Sequence, residues 1–151
     1  MSKSTALRKR AAALVGATAL LVGGGIATAG PAAADYMCDP GYHCLYWGGF
    51  IGESASHDYF NSDVDFRNDT FNTNPGTGGY GQTVNDNVSS VSNASTGGYE
   101  THLYRDINYQ GGLLFCVNPG SEAWGADLAD FTQENQASSM KLLPSTTIRC
   151  F

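Results

Sequence analysis

The chain has 151 residues, of which 42% are hydrophobic and only 15% charged, with eight basic residues against fourteen acidic ones and a formal charge of −6. That length suffices for one hydrophobic core. The acidic balance argues against nucleic acid or an anionic lipid surface as a partner.

Residues 1–34 have the order of a secretory leader. Lys3, Arg8, Lys9 and Arg10 come first, then the small apolar run AAALVGATALLVGGGIATA, then GPAAA, where Ala32 and Ala34 satisfy the small-x-small cleavage rule. A single membrane anchor is the rival reading, and the Gly- and Ala-rich run with its cleavage site weighs against it. Cleavage leaves residues 35–151. Four of the eight basic residues leave with the leader and all fourteen acids stay, so the mature charge is −10. The expected product is extracellular, monomeric and free of the membrane.

Cys38, Cys44, Cys116 and Cys150 all lie in the mature part. An even count in a small secreted domain implies two disulfides. Three pairings are possible; we favour Cys38–Cys44, around the short loop DPGYH, and Cys116–Cys150. A zinc site is the rival, without Cys-x-x-Cys or paired-histidine spacing to support it.

In chain order, the mature part offers short apolar or aromatic runs separated by Gly, Asn, Ser and Thr: HCLYW, SSVSN, THLYR, LLFCV and SSMKLL. No long stretch has helical apolar spacing. Many short strands with frequent turn signals read as an all-β sandwich or barrel. There is also a duplication. CLYWGGFIG (44–52) resembles HLYRDINYQGG (102–112), and each unit then reaches a serine arch, NDNVSS (85–90) or ENQASS (134–139). The first unit carries about ten more residues than the second. They are expected in RNDTFNTNPGTGGYGQT (67–83), read as a long surface loop. Two similar β units in one short chain imply two Greek keys around one core, about residues 38–93 and 99–151.

These residues carry a resemblance. Tyr104, Tyr109 and Gly111 match the βγ-crystallin hairpin, an aromatic, four residues, an aromatic, one residue and glycine. NDNVSS is similar to that superfamily's calcium motif. The opening CDPGYHCLYWGGFIG resembles secreted microbial proteins of the metalloproteinase-inhibitor family with that fold. The resemblance spans residues 38 to about 143. It implies an all-β fold of two Greek-key motifs forming a βγ-crystallin-like sandwich, with calcium as the implied cofactor. The first arch would supply Asn85, Asp86, Asn87 and Ser89, and the second Glu134, Asn135 and Ser138. Three departures stand out: the first hairpin, from Tyr46 to Phe50, is one residue short, the second arch opens with Glu134, and Trp47 and Arg105 follow the hairpin tyrosines. The first arch is therefore expected to bind and the second to bind weakly.

No metalloprotease helix motif, nucleophile elbow or phosphate loop is present in the sequence, so a non-enzyme is expected. His43, His57 and His102 are scattered and read as surface or strand-edge residues. Asp58, Asp63, Asp65 and Asp69 read as solvated loop charge. Trp124 is expected in the core and Trp47 at the surface. The resemblance implies a secreted proteinase inhibitor that blocks a protease cleft with a disulfide-supported loop. Its loop, beside a half-cystine followed by a small apolar residue, points to Cys116 and Val117. The alternative is a calcium-binding module acting at the cell surface as a lectin or toxin-like factor.

Overall fold

The computed structural model describes residues 38–49, 53–130 and 132–151. The expected leader, and Phe50 and Gly52 of the first hairpin, lie outside the described residues.

Among the described residues seven strands are formed: β1 (His43–Tyr46), β2 (Ser56–Tyr59), β3 (Ser90–Asn93), β4 (Tyr99–Asp106), β5 (Gln110–Val117), β6 (Glu122–Ala123) and β7 (Ser139–Pro144). All named pairings are antiparallel, in one sheet ordered β2-β1-β3-β6 and a second ordered β5-β4-β7. Each half contributes pairing to the other's sheet, one through a strand and one through a single bridge. β6 belongs to the second half but pairs with β3, placing Val91 opposite Ala123. Conversely, Asp63 of the first half pairs with Met140 of β7 through two backbone hydrogen bonds of 2.8 Å.

The core lies between the sheets. Leu45 and Val91 from one sheet meet Leu103, Val117 and Met140 from the other, all fully buried. Strand alternation turns the neighbours of Leu45, Cys44 and Tyr46, to the opposite face, where the Cys38–Cys44 disulfide and the half-buried Trp124 cover them. Trp124 therefore closes a small outer cluster and does not enter the main core. It immediately precedes the short helix α1 (Gly125–Asp130), which the apolar pattern did not announce and which buries Leu128.

The insertion is not a detached surface loop. Phe71 is fully buried, and its backbone bonds Gln82 and Gly81. Gly79, at φ +84°, lies against Trp47, and a Cβ there would sit 2.2 Å from the indole. Thus the insertion sends one aromatic into the core and covers one side of Trp47, which stays 40% exposed.

Two of the three histidines are also interior, because they join the sheets or strands. His43 is 2% exposed and its Nδ1 lies 2.6 Å from Thr101 Oγ1 on β4. Asn93 adds a second tie between the sheets, donating from Nδ2 to the carbonyls of Tyr99 and Val117.

Burial lowers the His43 pKa from 6.5 to about 4, so the ring is neutral at pH 7. The unfolded chain takes up a proton near pH 6.5 that the folded chain refuses. Stability is therefore intact above pH 6.5 and falls as the pH drops toward 4, by at most about 1.4 kcal/mol per unit from this group. Thermal melts across that interval should show a steeper decline for the natural protein than for His43→Gln. Parallel curves would remove His43 from the account.

Candidate functional site

Three places were expected to carry function: the two arches and the Cys116 and Val117 pair. The arches come together about an approximate two-fold relation. Asp86 and Asn135 occupy matching positions, each with a left-handed backbone, φ 57° and 56°. Asp86 donates its N–H to Ala137 O, and Asn135 donates its N–H to Val88 O, both at 2.9 Å. The serine pairs divide their work. The first serine of each pair reaches across: Ser89 Oγ donates to Asn135 Oδ1 at 3.0 Å, and Ser138 Oγ to Asp86 Oδ1 at 3.3 Å. The second serine holds its own hairpin: Ser90 Oγ donates to Gly48 O and Ser139 Oγ to Asp106 O, both at 2.7 Å.

The arch side chains meet across the two arches as well as within the first. The carboxylate of Asp86 belongs with Ser138, while Ser89 belongs with the neutral Asn135. Asn85 donates to Asp86 Oδ2 at 2.7 Å, and Asn87 donates to the carbonyls of Thr83 and Asn85, which shapes the first arch. Asn85 Oδ1 is shielded from water and has no hydrogen-bond partner. Glu134 opens the second arch and is half-buried. On the same side, the Arg105 guanidinium donates to Gln136 Oε1.

The second hairpin is built as its residues demand. Tyr104 packs on Tyr109 with ring centroids 5.8 Å apart. Gly111 has φ +72°, and a Cβ there would lie 2.5 Å from Asp106 Oδ2, which only glycine avoids. The acidic run is engaged locally. Asp65 holds Arg67 through both carboxylate oxygens, Asp69 accepts from the Tyr59 hydroxyl, and Asp58 accepts from Ser56. Burial, followed by the neighbouring Asp69, pushes the Tyr59 hydroxyl pKa far up.

Cys116 and Val117 are not on a loop. They end β5, are 2% and 0% exposed, and Val117 packs in the core. A side chain there cannot enter another protein's pocket without dismantling the sandwich. The partner half-cystine is different. Cys150 follows an exposed stretch, residues 145–149, in which Ile148 is 49% exposed. Both ends of that stretch are tied. Thr146 donates its N–H and its hydroxyl to the Glu100 carboxylate, each at 2.8 Å, and Ile148 N–H donates to Thr146 Oγ1 at 3.2 Å. Beyond it, Phe151 N–H donates to Cys116 O and Asn118 N–H to Phe151 O, both at 2.9 Å.

Glu100 is 2% exposed, and its third partner is His102 Nε2 at 2.7 Å. Burial alone would raise this carboxyl's pKa; the bonds from His102 and Thr146 outweigh it and hold the group below the usual carboxylate range. Glu100 and His102 were missed in the sequence. Their signal was the spacing of two in a strand, which puts both side chains on one face of YETHLYRD.

The architecture is a βγ-crystallin-type domain. A chain from a structure on the evolution of the eye-lens βγ-crystallin domain fold superposes with a TM-score of 0.50 at 20% identity, covering 71% of this chain and 89% of that one. An archaeal βγ-crystallin gives 0.45 at 18% identity, covering 70% and 100%, and spherulin 3a from Physarum polycephalum gives 0.43 at 18%, covering 74% and 90%. A search of curated proteins gave no match. The model of peptidase inhibitor family I36 matches residues 31–117, more than half of the chain, and the chain belongs to that family.

Replacing Glu100 by Gln sets an amide N–H₂ among donors in place of an acceptor. We expect a loss of about 1–3 kcal/mol and faster hydrogen exchange at the Thr146 amide, with the β4 to β7 ladder changed much less. Unaltered protection at Thr146 would show that Glu100 does not hold the loop.

Proposed function

We propose that this chain is an exported inhibitor of metallopeptidases that lays residues 145–149 in the catalytic cleft. One observation carries this reading: the stretch presents the exposed Ile148 while being fixed at one end by a buried carboxylate and at the other by a disulfide. A loop ordered before binding loses less conformational entropy when it docks. Ile148 has the apolar side chain suited to the pocket beyond the scissile bond. Membership of a peptidase inhibitor family and two disulfides, which persist in oxidising compartments, support the reading. The action is occupancy of the cleft, with no chemistry required of the inhibitor. Export would give a mature chain starting at Asp35.

Titrating a thermolysin-type zinc peptidase with the mature protein should abolish activity near one equivalent. Ile148→Asp should weaken inhibition at least tenfold with an unchanged circular dichroism spectrum. Phe60→Ala, which removes the most exposed aromatic among the described residues, should have no effect. Full inhibition by Ile148→Asp would place the contact elsewhere, and no inhibition by the natural protein would end this reading.

A second reading, calcium binding at the arches, is favoured by the orphaned Asn85 Oδ1 and by the converging oxygens. Oxygens 3.0 and 3.3 Å apart suit adjacent ligands of a hard cation bound at about 2.3–2.6 Å. Asp86, Ser138 and Asn85 would hold one ion, and Ser89 with Asn135 a second. The ion would supply charge neutralisation and a stronger tie between the arches. With one carboxylate at the first of these and Arg105 close by, affinity belongs in the weak extracellular class, about 10⁻⁴–10⁻³ M. Ser138→Ala should therefore remove more of a calcium-dependent rise in melting temperature than Ser89→Ala. A larger loss from Ser89→Ala would reverse the assignment, and no rise at millimolar calcium would exclude binding.

A further inference from the structure

Beneath the C-terminal loop lies a cluster whose histidine neither reading uses. His102 lies directly opposite Cys116 across the β4 and β5 ladder, and Cys116 is bonded to Cys150. A ring nitrogen of His102 and the two sulfurs lie within 4.8 Å of one another. The imidazole side chain is 1% exposed. Its Nε2 meets the Glu100 carboxylate at 2.7 Å, an acceptor, so Nε2 carries the proton. That leaves Nδ1 as the available nitrogen, and Nδ1 is buried without a hydrogen-bond partner.

We propose that His102, Cys116 and Cys150 form a latent site for a thiophilic divalent cation, zinc(II) above all, which becomes available when their disulfide is reduced. The ligand set is the one zinc favours: two thiolates at about 2.3 Å and one imidazole at about 2.0–2.1 Å, with a solvent molecule completing four-coordination. The imidazole nitrogen and both sulfurs already lie within 4.8 Å of one another, and on reduction the sulfurs, bonded at 1.99 Å, would separate to the roughly 3.8 Å that two zinc–sulfur bonds of about 2.3 Å require. The outer shell is already in place. Glu100 accepts from Nε2, which fixes the tautomer that points a lone pair to the metal, the carboxylate–histidine–metal arrangement. Access exists through a cleft of about 650 Å³ lined by Cys116, Ile148 and Cys150.

The chemistry balances with a dithiol as reductant. It gives two electrons and two protons to the disulfide and is itself oxidised to a disulfide, leaving the Cys116 and Cys150 thiols. The cation then displaces both thiol protons to water as it takes the two sulfurs and Nδ1. The metal thereby clamps the C-terminal segment in place of the lost covalent bond. This inference does not rest on peptidase inhibition.

The test uses the Cys38→Ala/Cys44→Ala protein, so that only Cys116 and Cys150 remain. Reduced with a phosphine and titrated with cobalt(II), it should bind one metal per chain with thiolate-to-cobalt charge-transfer absorption. The oxidised protein should show none. Zinc(II) should displace the cobalt and raise the melting temperature of the reduced chain. Glu100→Gln should weaken binding about 10–100-fold, and His102→Gln at least tenfold. If the reduced chain unfolds, zinc should restore the far-ultraviolet spectrum of the oxidised protein. The inference is overturned by a folded reduced chain without thiolate–cobalt absorption, by a reduced unfolded chain that zinc does not refold, or by equal affinity in His102→Gln.

Discussion

Neither half of this sandwich can complete its own sheet. β6 of the second half closes the first sheet beside β3, and Asp63 of the first half pairs with Met140 at the edge of the second. Separating the halves would expose the unpaired backbone groups of both edges together with the core between Leu45 and Leu103. The arches exist because of this exchange. Each is the turn that brings the chain back after it has paired with the other half, and the bonds from Asp86 to Ala137 and from Asn135 to Val88 lock the two returns together. The serine pairs follow from the same need: one hydroxyl faces the other arch and one faces its own hairpin.

A frame this closely tied leaves few segments free to meet a partner. The C-terminal stretch is one, and its geometry is inherited from the interior. Glu100 is a buried carboxylate kept charged by three donors, two of them from Thr146. In a low-dielectric setting those bonds are strong and an unmade one is costly, so the loop has little choice of shape. The disulfide to Cys150 fixes the far end. Family membership, the exposed Ile148 and the anchoring are the features on which the proposed occupancy of a peptidase cleft rests.

Much of the frame was legible in the chain. The Tyr104, Tyr109 and Gly111 spacing encodes a folded hairpin because only glycine tolerates the contact with Asp106. The favoured disulfide pairing is the one the structure has. Other features depend on contacts far apart in sequence. Phe71 sits in a polar, Gly-rich insertion whose composition signals a loop, yet its burial is decided by the sandwich it folds onto. His43 looked like a strand-edge residue because nothing local reveals Thr101, 58 residues away. Val117 carried the right residue type beside a half-cystine but the wrong exposure, since β5 turns it inward. The pairing of Ser89 with Asn135 and of Asp86 with Ser138 is equally invisible locally, since the partners stand 46 and 52 positions apart in the chain.

The central claim is that a sandwich whose halves complete each other's sheets presents one prearranged loop to a peptidase. Hydrogen–deuterium exchange of the protein alone and in complex with a thermolysin-type zinc peptidase tests it most directly. The account predicts new protection centred on residues 145–149 and little change around Tyr42, Phe60 and Tyr99, three of the exposed aromatics elsewhere on the surface. Protection centred on those aromatics, with residues 145–149 unchanged in a stable complex, would contradict it.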